Sequence, residues 1–166
     1  INTRMKLLQY KWLMRTYITP VKLNRWSPVI PDSCSKCLDG KGTLLHCVWS
    51  CPKLQQYWVS ITQTLSKIVG ASIPVEAKLC VLGIYPKGCD FSIRQIKLID
   101  FGLLQARRLI SLYWKKMDVP SSHMWVKEMA SCIALERLTY IVRGKGAYFE
   151  EIWLPLIEFL RHYEVN

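Results

Sequence analysis

One stretch constrains this chain more than any other: Cys34-Ser-Lys-Cys37, then Gly40 and Gly42, then His46 and Cys51, a spacing of C-x2-C-x8-H-x4-C. Thiolate sulfur and imidazole nitrogen are the donors that zinc takes at tetrahedral corners. A C-x2-C pair directs both sulfurs at one ion from a tight turn. Gly40 and Gly42 then let the chain reverse before His46 and Cys51 arrive from the start of the next element. A site of this kind contributes folding free energy on the order of 10 kcal/mol, which matters for a segment with few apolar residues of its own. With four protein donors and no open position for water, the expected Zn2+ is structural rather than catalytic. Cys47 is the competing fourth ligand. Placed directly after the histidine it would strain a four-point cage, so Cys51 is the expected ligand and Cys47 a small buried neighbour.

The chain has 166 residues, which fits one domain or one domain with a small appended module. An apolar share of 51% with seven Trp is ample for a packed core and excludes a disordered tail. No run approaches the ~20 apolar residues of a membrane span, and no secretory signal is present. An opening Ile1 in place of Met suggests a piece of something longer. Cys80, Cys89 and Cys132 bring the thiols to an odd seven with no tidy pairing. Metal-bound thiolates in a reducing, intracellular compartment explain that count better than a disulfide framework.

The net charge of +11 is unevenly spread. Residues 1–53 carry nine Lys/Arg against two acids, and residues 94–116 carry six against one, whereas residues 117–166 come to −2. Positive charge therefore gathers around the Cys/His stretch and one later helix. That asymmetry favours a polyanionic partner; the plainer alternative is a solvated basic face.

Taken in order, residues 3–18 read as a helix stopped by Thr19-Pro20. Its wheel has two apolar sides, Met5, Leu8 and Trp12 against Leu7, Tyr10, Met14 and Ile18, with Arg4, Lys11 and Arg15 between them. A free surface helix shows one such stripe, so a second implies a cover from a later helix or from outside the chain. Residues 19–33, with Pro20, Pro28 and Pro31, read as an extended basic linker. Pro52 opens a helix with Leu54, Trp58, Ile61, Leu65 and Ile68 on one face and Gly70 as its cap. Lys78 to Leu82 reads equally as a short helix or a strand. Ser92 and Gln95 form a capping-box signature for the longest helix, about residues 93–117, striped by Ile96, Ile99, Leu103, Ala106, Ile110, Tyr113 and Met117. After Pro120 comes a helix with Trp125, Met129 and Cys132 on one side, continued by Leu135 to Val142 straight or after a bend. Arg143-Gly-Lys-Gly146 ends it. A last helix from about Ala147 carries Phe149, Trp153, Leu156, Leu160 and Tyr163, with a kink expected at Pro155. The fold class is mainly α: an N-terminal helix and linker (1–33), a CCHC zinc insertion (34–51) and a helical C-terminal part (52–166).

Catalytic motifs are absent from the sequence. Asp100-Phe101-Gly102 matches a kinase magnesium triplet in letters only, since it falls inside an amphipathic helix with no glycine-rich phosphate loop or H-R-D loop before it. His123 and His162 are isolated and read as surface residues. What remains is basic residues interleaved with aromatics, including Tyr10-Lys-Trp12, Arg25-Trp26, Trp49 and Tyr113-Trp114-Lys115-Lys116. Single-stranded nucleic acid is held by rings that stack on bases, worth ~1–3 kcal/mol each, beside cations along the phosphates. The expected contacts are Arg15, Lys22, Arg25, Lys36, Lys41, Trp49, Arg107 and Arg108. Trp12, Tyr113 and Trp58 lie on apolar helix faces and read as core.

Arg15-Thr-Tyr-Ile-Thr-Pro-Val-Lys-Leu23, the ligand set with Gly42-Thr-Leu-Leu-His-Cys47, Trp49 and Cys51, and Leu82-Gly-Ile-Tyr-Pro86 together resemble the C-terminal cysteine-rich segment of LINE-type (non-LTR) retrotransposon proteins. Leu103-Leu-Gln-Ala-Arg-Arg108, Trp125, Leu138-Thr-Tyr-Ile141 and Arg143-Gly-Lys145 are similar to the tail of fish and amphibian members. The resemblance implies an endonuclease and a reverse transcriptase upstream on the parent chain. It implies a role for this segment in holding template RNA, and target DNA, during target-primed reverse transcription within a cytoplasmic and nuclear ribonucleoprotein. It implies Cys34, Cys37, His46 and Cys51 as ligands. The eight-residue gap to His46 exceeds that of retroviral nucleocapsid knuckles. The competing expectation is a structural or protein-docking module that does not touch nucleic acid.

Overall fold

The computed structural model describes residues 3–164, and Arg4 of the expected basic stripe lies outside the described side chains. The elements are α1 (Thr3–Leu13), α2 (Pro20–Trp26), a π-helical turn at His46–Ser50, α3 (Pro52–Val69), a second π-helical turn at Lys78–Leu82, α4 (Ile93–Leu112), α5 (Ser122–Val142) and α6 (Gly146–Glu164). The fold is mainly α, as its periodicities imply. Among the described residues the only extended pairing is an isolated antiparallel bridge between Ser33 and Lys41.

Helix α4 is the central element, packed against α1, α3, α5, α6 and the second π-turn. Its start is fixed by the capping box of Ser92 and Gln95, in which each side chain accepts the other's backbone N–H. The α3 stripe of Leu54, Trp58, Ile61, Leu65 and Ile68 is buried along its length, and Gly70 closes the helix at φ 70°. Fully burying each such aliphatic or aromatic side chain is worth ~1.5–3 kcal/mol. Among the core indoles, Trp58 donates to the Val48 carbonyl at 3.0 Å and Trp125 to that of Gly102 at 2.9 Å, whereas the buried Trp153 Nε1 has no hydrogen-bond partner among the described residues. The triplet Asp100-Phe101-Gly102 is accounted for by packing. Asp100 accepts from the Tyr85 hydroxyl at 2.9 Å, Phe101 meets the Trp153 ring edge-on at 4.8 Å, and a Cβ on Gly102 would lie 2.5 Å from Leu65. Glycine there lets α3 and α4 approach closely.

The described structure departs from the sequence expectations in several places. Helix α1 stops at Leu13 rather than continuing to residue 18. Its end is a Schellman motif: Arg15 sits at φ 52°, Thr16 N–H reaches the Lys11 carbonyl and Arg15 N–H that of Trp12. Thr19-Pro20 is therefore a start signal. Thr19 Oγ1 accepts from Lys22 N–H and Pro20 occupies the first turn of α2, so the expected linker contains a helix. Helix α4 ends at Leu112, which leaves Tyr113 and Met117 beyond it and Met117 exposed. Lys78–Leu82 is helical, and α5 runs unbroken to Val142. Helix α6 continues through Pro155.

The two-sided wheel of α1 resolves into an inner and an outer face. Met5 and Trp12 are buried, with Trp12 Nε1 donating to Ser111 Oγ on α4 at 2.9 Å, while Leu7, Tyr10, Met14 and Ile18 are exposed. A later helix covers the first side only. No helix among the described residues is long and apolar enough to cross a membrane.

Candidate metal centre

The Cys/His stretch folds as a short hairpin running into a helix. Gly42 N–H bonds the Asp32 carbonyl at 2.7 Å and Cys34 N–H that of Gly40 at 2.7 Å, beside the Ser33–Lys41 bridge. Leu38 N–H closes the C-x2-C turn onto the Cys34 carbonyl at 2.8 Å, with Leu38 itself at φ 65°. The reversal thus falls on Leu38, and the two glycines are needed for close approach instead. A Cβ on Gly40 would lie 2.6 Å from His46 Cε1, and one on Gly42 would lie 2.5 Å from the Pro20 ring. His46 opens the π-turn and Cys51 ends it, joined by a 3.1 Å bond from Cys51 N–H to the His46 carbonyl.

This geometry brings one donor atom from each of Cys34, Cys37, His46 and Cys51 to within 4.8 Å of every other, so the cluster could hold a metal ion. His46 Nε2 is 3.3 Å from Cys37 Sγ, which makes it the nitrogen facing the thiols. Sulfurs around a tetrahedral zinc with bonds near 2.3 Å stand about 3.8 Å apart, so little movement separates this arrangement from a filled site.

The surroundings of the sulfurs fit a bound cation. Lys36 N–H donates to Cys34 Sγ at 3.4 Å. Burial raises the Cys37 thiol, but the N–H groups of Gly40 and Asp39, with His46 and Cys34, outweigh it and bring it down to about 6. Burial pushes Cys51 up to about 11, against the N–H groups of Leu54 and Lys53 at the start of α3. Each of the three sulfurs thus receives backbone N–H donation, which stabilises thiolate. Cys47, buried beside them and pushed up to about 12 by burial and by Cys34 and Cys51, remains a thiol neighbour.

The residues expected to bind nucleic acid are not equally available. Lys36 is buried at 4% exposure, and its Nζ donates to the carbonyls of Tyr113, Lys116 and Asp118 at 2.8, 2.7 and 3.1 Å. Three ammonium protons meet three carbonyls just past the end of α4, so Lys36 is a structural anchor and not a phosphate contact. Arg107 is also a correction. Buried at 3% exposure, it donates to the Leu79 and Cys80 carbonyls and to Gln9 Oε1, tying α4 to the second π-turn and α1. Arg108 is half-buried in an ion pair with Glu128. Lys22 Nζ is held by the Arg15 and Tyr17 carbonyls at 2.6 and 3.2 Å. Trp49 is half-buried with its ring 6.2 Å from Trp58.

Arg15, Arg25 and Lys41 are exposed. They sit on contiguous elements: Val21 N–H of α2 reaches the Gly42 carbonyl of the hairpin, and Lys22 ties α2 to Arg15. The exposed ring beside them is Trp26, at 68%. Its pairing with Arg25 is visible in the sequence, but only the end of α2 at Trp26 turns the ring outward. No protein-family model matches the chain.

Proposed function

We propose that this chain is a non-catalytic nucleic-acid-binding module, RNA preferred, built on a structural zinc ion held by Cys34, Cys37, His46 and Cys51. It would anchor template, and target DNA, for a reverse transcriptase encoded upstream on the same parent chain. Zinc is favoured over other ions by the donor set, since three thiolates and an imidazole suit a closed tetrahedral site. The observation that carries the reading is the row of exposed Arg15, Arg25 and Lys41 with exposed Trp26 on the elements the hairpin holds. When bound, the ion would pin His46 and both ends of the hairpin. The chain's own residues would then present cations to phosphates and an indole to a base.

A salt titration of single-stranded RNA binding tests it. Each cation removed should flatten the slope of log K against log salt by about 0.7. Arg25→Gln with Lys41→Gln should therefore flatten it by about 1.4 in all and weaken binding, and chelation should weaken it further. A salt-independent affinity, or none, overturns the proposal.

A second reading rests on the outer face of α1, where Leu7 and Tyr10 are exposed, with Met14 exposed just past its end. Under it the module docks the polymerase or a host factor. It is favoured if Arg25 and Lys41 substitutions leave RNA binding unchanged while Leu7→Ser with Met14→Ser abolishes association with the polymerase.

A further inference from the structure

A cavity of about 380 Å³ opens at the far end of α4 from the Cys/His cluster. Its wall comprises Lys97 near the start of α4, Glu136, Tyr140 and Arg143 from the last turns of α5, Lys145 from the connecting turn, and Tyr148 from the first turn of α6. Its volume lies within the range of small-ligand sites, ~300–1,000 Å³. From Lys97 to Tyr113, whose carbonyl holds Lys36, α4 rises about 24 Å at ~1.5 Å per residue. The two sites are therefore separate.

Three cations face one carboxylate in this cavity. The other acids nearby are engaged elsewhere: Glu150 by Arg137 at 3.4 Å and Glu151 by Arg94 at 2.7 Å. Among the described residues, the side chains of Arg143 and Lys145 enter no ion pair. Both are fixed by the backbone, since Gly144 at φ 67° closes α5 while Lys145 N–H reaches the Tyr140 carbonyl and Gly144 N–H that of Ile141. Helix α6 begins at once, with no acid in its first turn. Lys97 Nζ donates to the Tyr148 oxygen at 2.8 Å, so the phenol's own proton is free to be given to an incoming anion. Tyr140 is braced edge-on by Phe149 at 5.6 Å, and its ring stands 6.3 Å from that of Tyr148.

We infer that this cavity binds a nucleotide, its phosphate between Arg143, Lys145 and the Tyr148 hydroxyl and its base against the tyrosine rings, with Glu136 accepting from a ribose hydroxyl or an exocyclic amine. Cations alone would serve any anion; the adjoining aromatic wall and the acceptor carboxylate select one that carries a base. The inference stands whether or not the hairpin surface binds RNA.

Calorimetric titration of the intact, metal-loaded chain with AMP, adenosine and inorganic phosphate tests it. AMP is expected to bind more tightly than either fragment. Arg143→Gln with Lys145→Gln should weaken AMP at least about tenfold, the loss expected for one charge-assisted hydrogen bond, with unchanged melting. Arg25→Gln with Lys41→Gln should leave AMP binding as it was. Displacement of a short RNA from the cavity by excess AMP identifies a strand as the natural source, and no displacement identifies a free nucleotide. AMP that fails to bind, binds no better than phosphate, or ignores the Arg143/Lys145 change overturns the inference.

Discussion

Replacing Lys36 by Met separates a structural from a nucleic-acid-binding role for the most buried cation of the hairpin. The substitution keeps an unbranched side chain in place and removes the ammonium. Three hydrogen bonds disappear, to the carbonyls of Tyr113, Lys116 and Asp118. Bonds to a charged group are worth ~1.5–3 kcal/mol each, so the gross loss is about 4.5–9 kcal/mol. Against it stands relief of the desolvation of a buried ammonium, several kcal/mol, and burial is indeed what lowers the Lys36 pKa. Water also reclaims part of the carbonyls, because Lys116 and Asp118 are exposed. A net cost of about 3 kcal/mol remains, which for a chain of this size lowers the melting temperature by about 6–12 °C. A second effect would fall on a metal held at the Cys/His cluster. Three thiolates, an imidazole and a divalent ion sum to one negative charge, and the Lys36 ammonium lies in the field of Cys34, Cys47 and Cys51. Loss of such a partner weakens metal affinity by ~10–100-fold. Thermal melts with and without zinc, together with competition against a chromophoric chelator, measure both effects. Lys41→Met, at 80% side-chain exposure, is the control. If Lys36→Met melted and bound zinc like the parent while losing RNA, the anchoring argument would be wrong and Lys36 would be a phosphate contact after all.

Three further outcomes follow from the same geometry. Gly40→Ala places a Cβ 2.6 Å from His46 Cε1, so zinc affinity read by chelator competition should fall at least about tenfold while apo helicity by circular dichroism is unchanged. Trp26→Ala should weaken single-stranded RNA by ~1–3 kcal/mol with no change in melting, whereas Trp49→Ala, which strips a ring from Trp58, should act on stability first. Burial raises the Asp100 carboxyl, against its bond from Tyr85 and the charge of Arg107. The folded state therefore holds that proton more tightly than the unfolded state, and stability falls as pH rises from 3.8 through the folded value. Asp100→Asn, whose oxygen still accepts from Tyr85, should raise the urea midpoint at pH 7 and lose that advantage toward pH 3.

The parts of the structure that are legible in the sequence are those in which spacing alone fixes geometry. Donor atoms spaced C-x2-C-x8-H-x4-C come together in one cluster, the α3 stripe faces inward, and Ser92 with Gln95 starts α4. Spacing carries no information on which partner a long side chain reaches. Lys36 and Arg107 read as cations available to phosphate, yet both are swallowed by carbonyls that only tertiary packing delivers. Thr-Pro reads as a stop because proline cannot continue a helix, but it serves as well to begin one. In α5 the side named by Trp125, Met129 and Cys132 is the inward one, but Leu135, Leu138, Ile141 and Val142 are exposed, so apolar character alone does not mark which residues of its second half are covered.

The departures of Lys36 and of the α4 terminus meet at one place. Past Leu112 the chain turns, and the carbonyls of Tyr113, Lys116 and Asp118 converge on the Lys36 ammonium. They take that cation from the hairpin, through a lysine placed between Cys34 and Cys37 of the candidate metal centre. That lysine reaches them from the formed C-x2-C turn, at the point where the chain leaves the helix at Tyr113. The core cluster that contains Trp58 and Leu103 also contains Cys34 and Cys51, so the same joint is sealed by apolar contact. Metal binding and closure of the helical core are then linked equilibria. An ion that binds the folded hairpin must stabilise the junction of α4 with it, and closure of that junction must in turn strengthen the ion by the same coupling free energy.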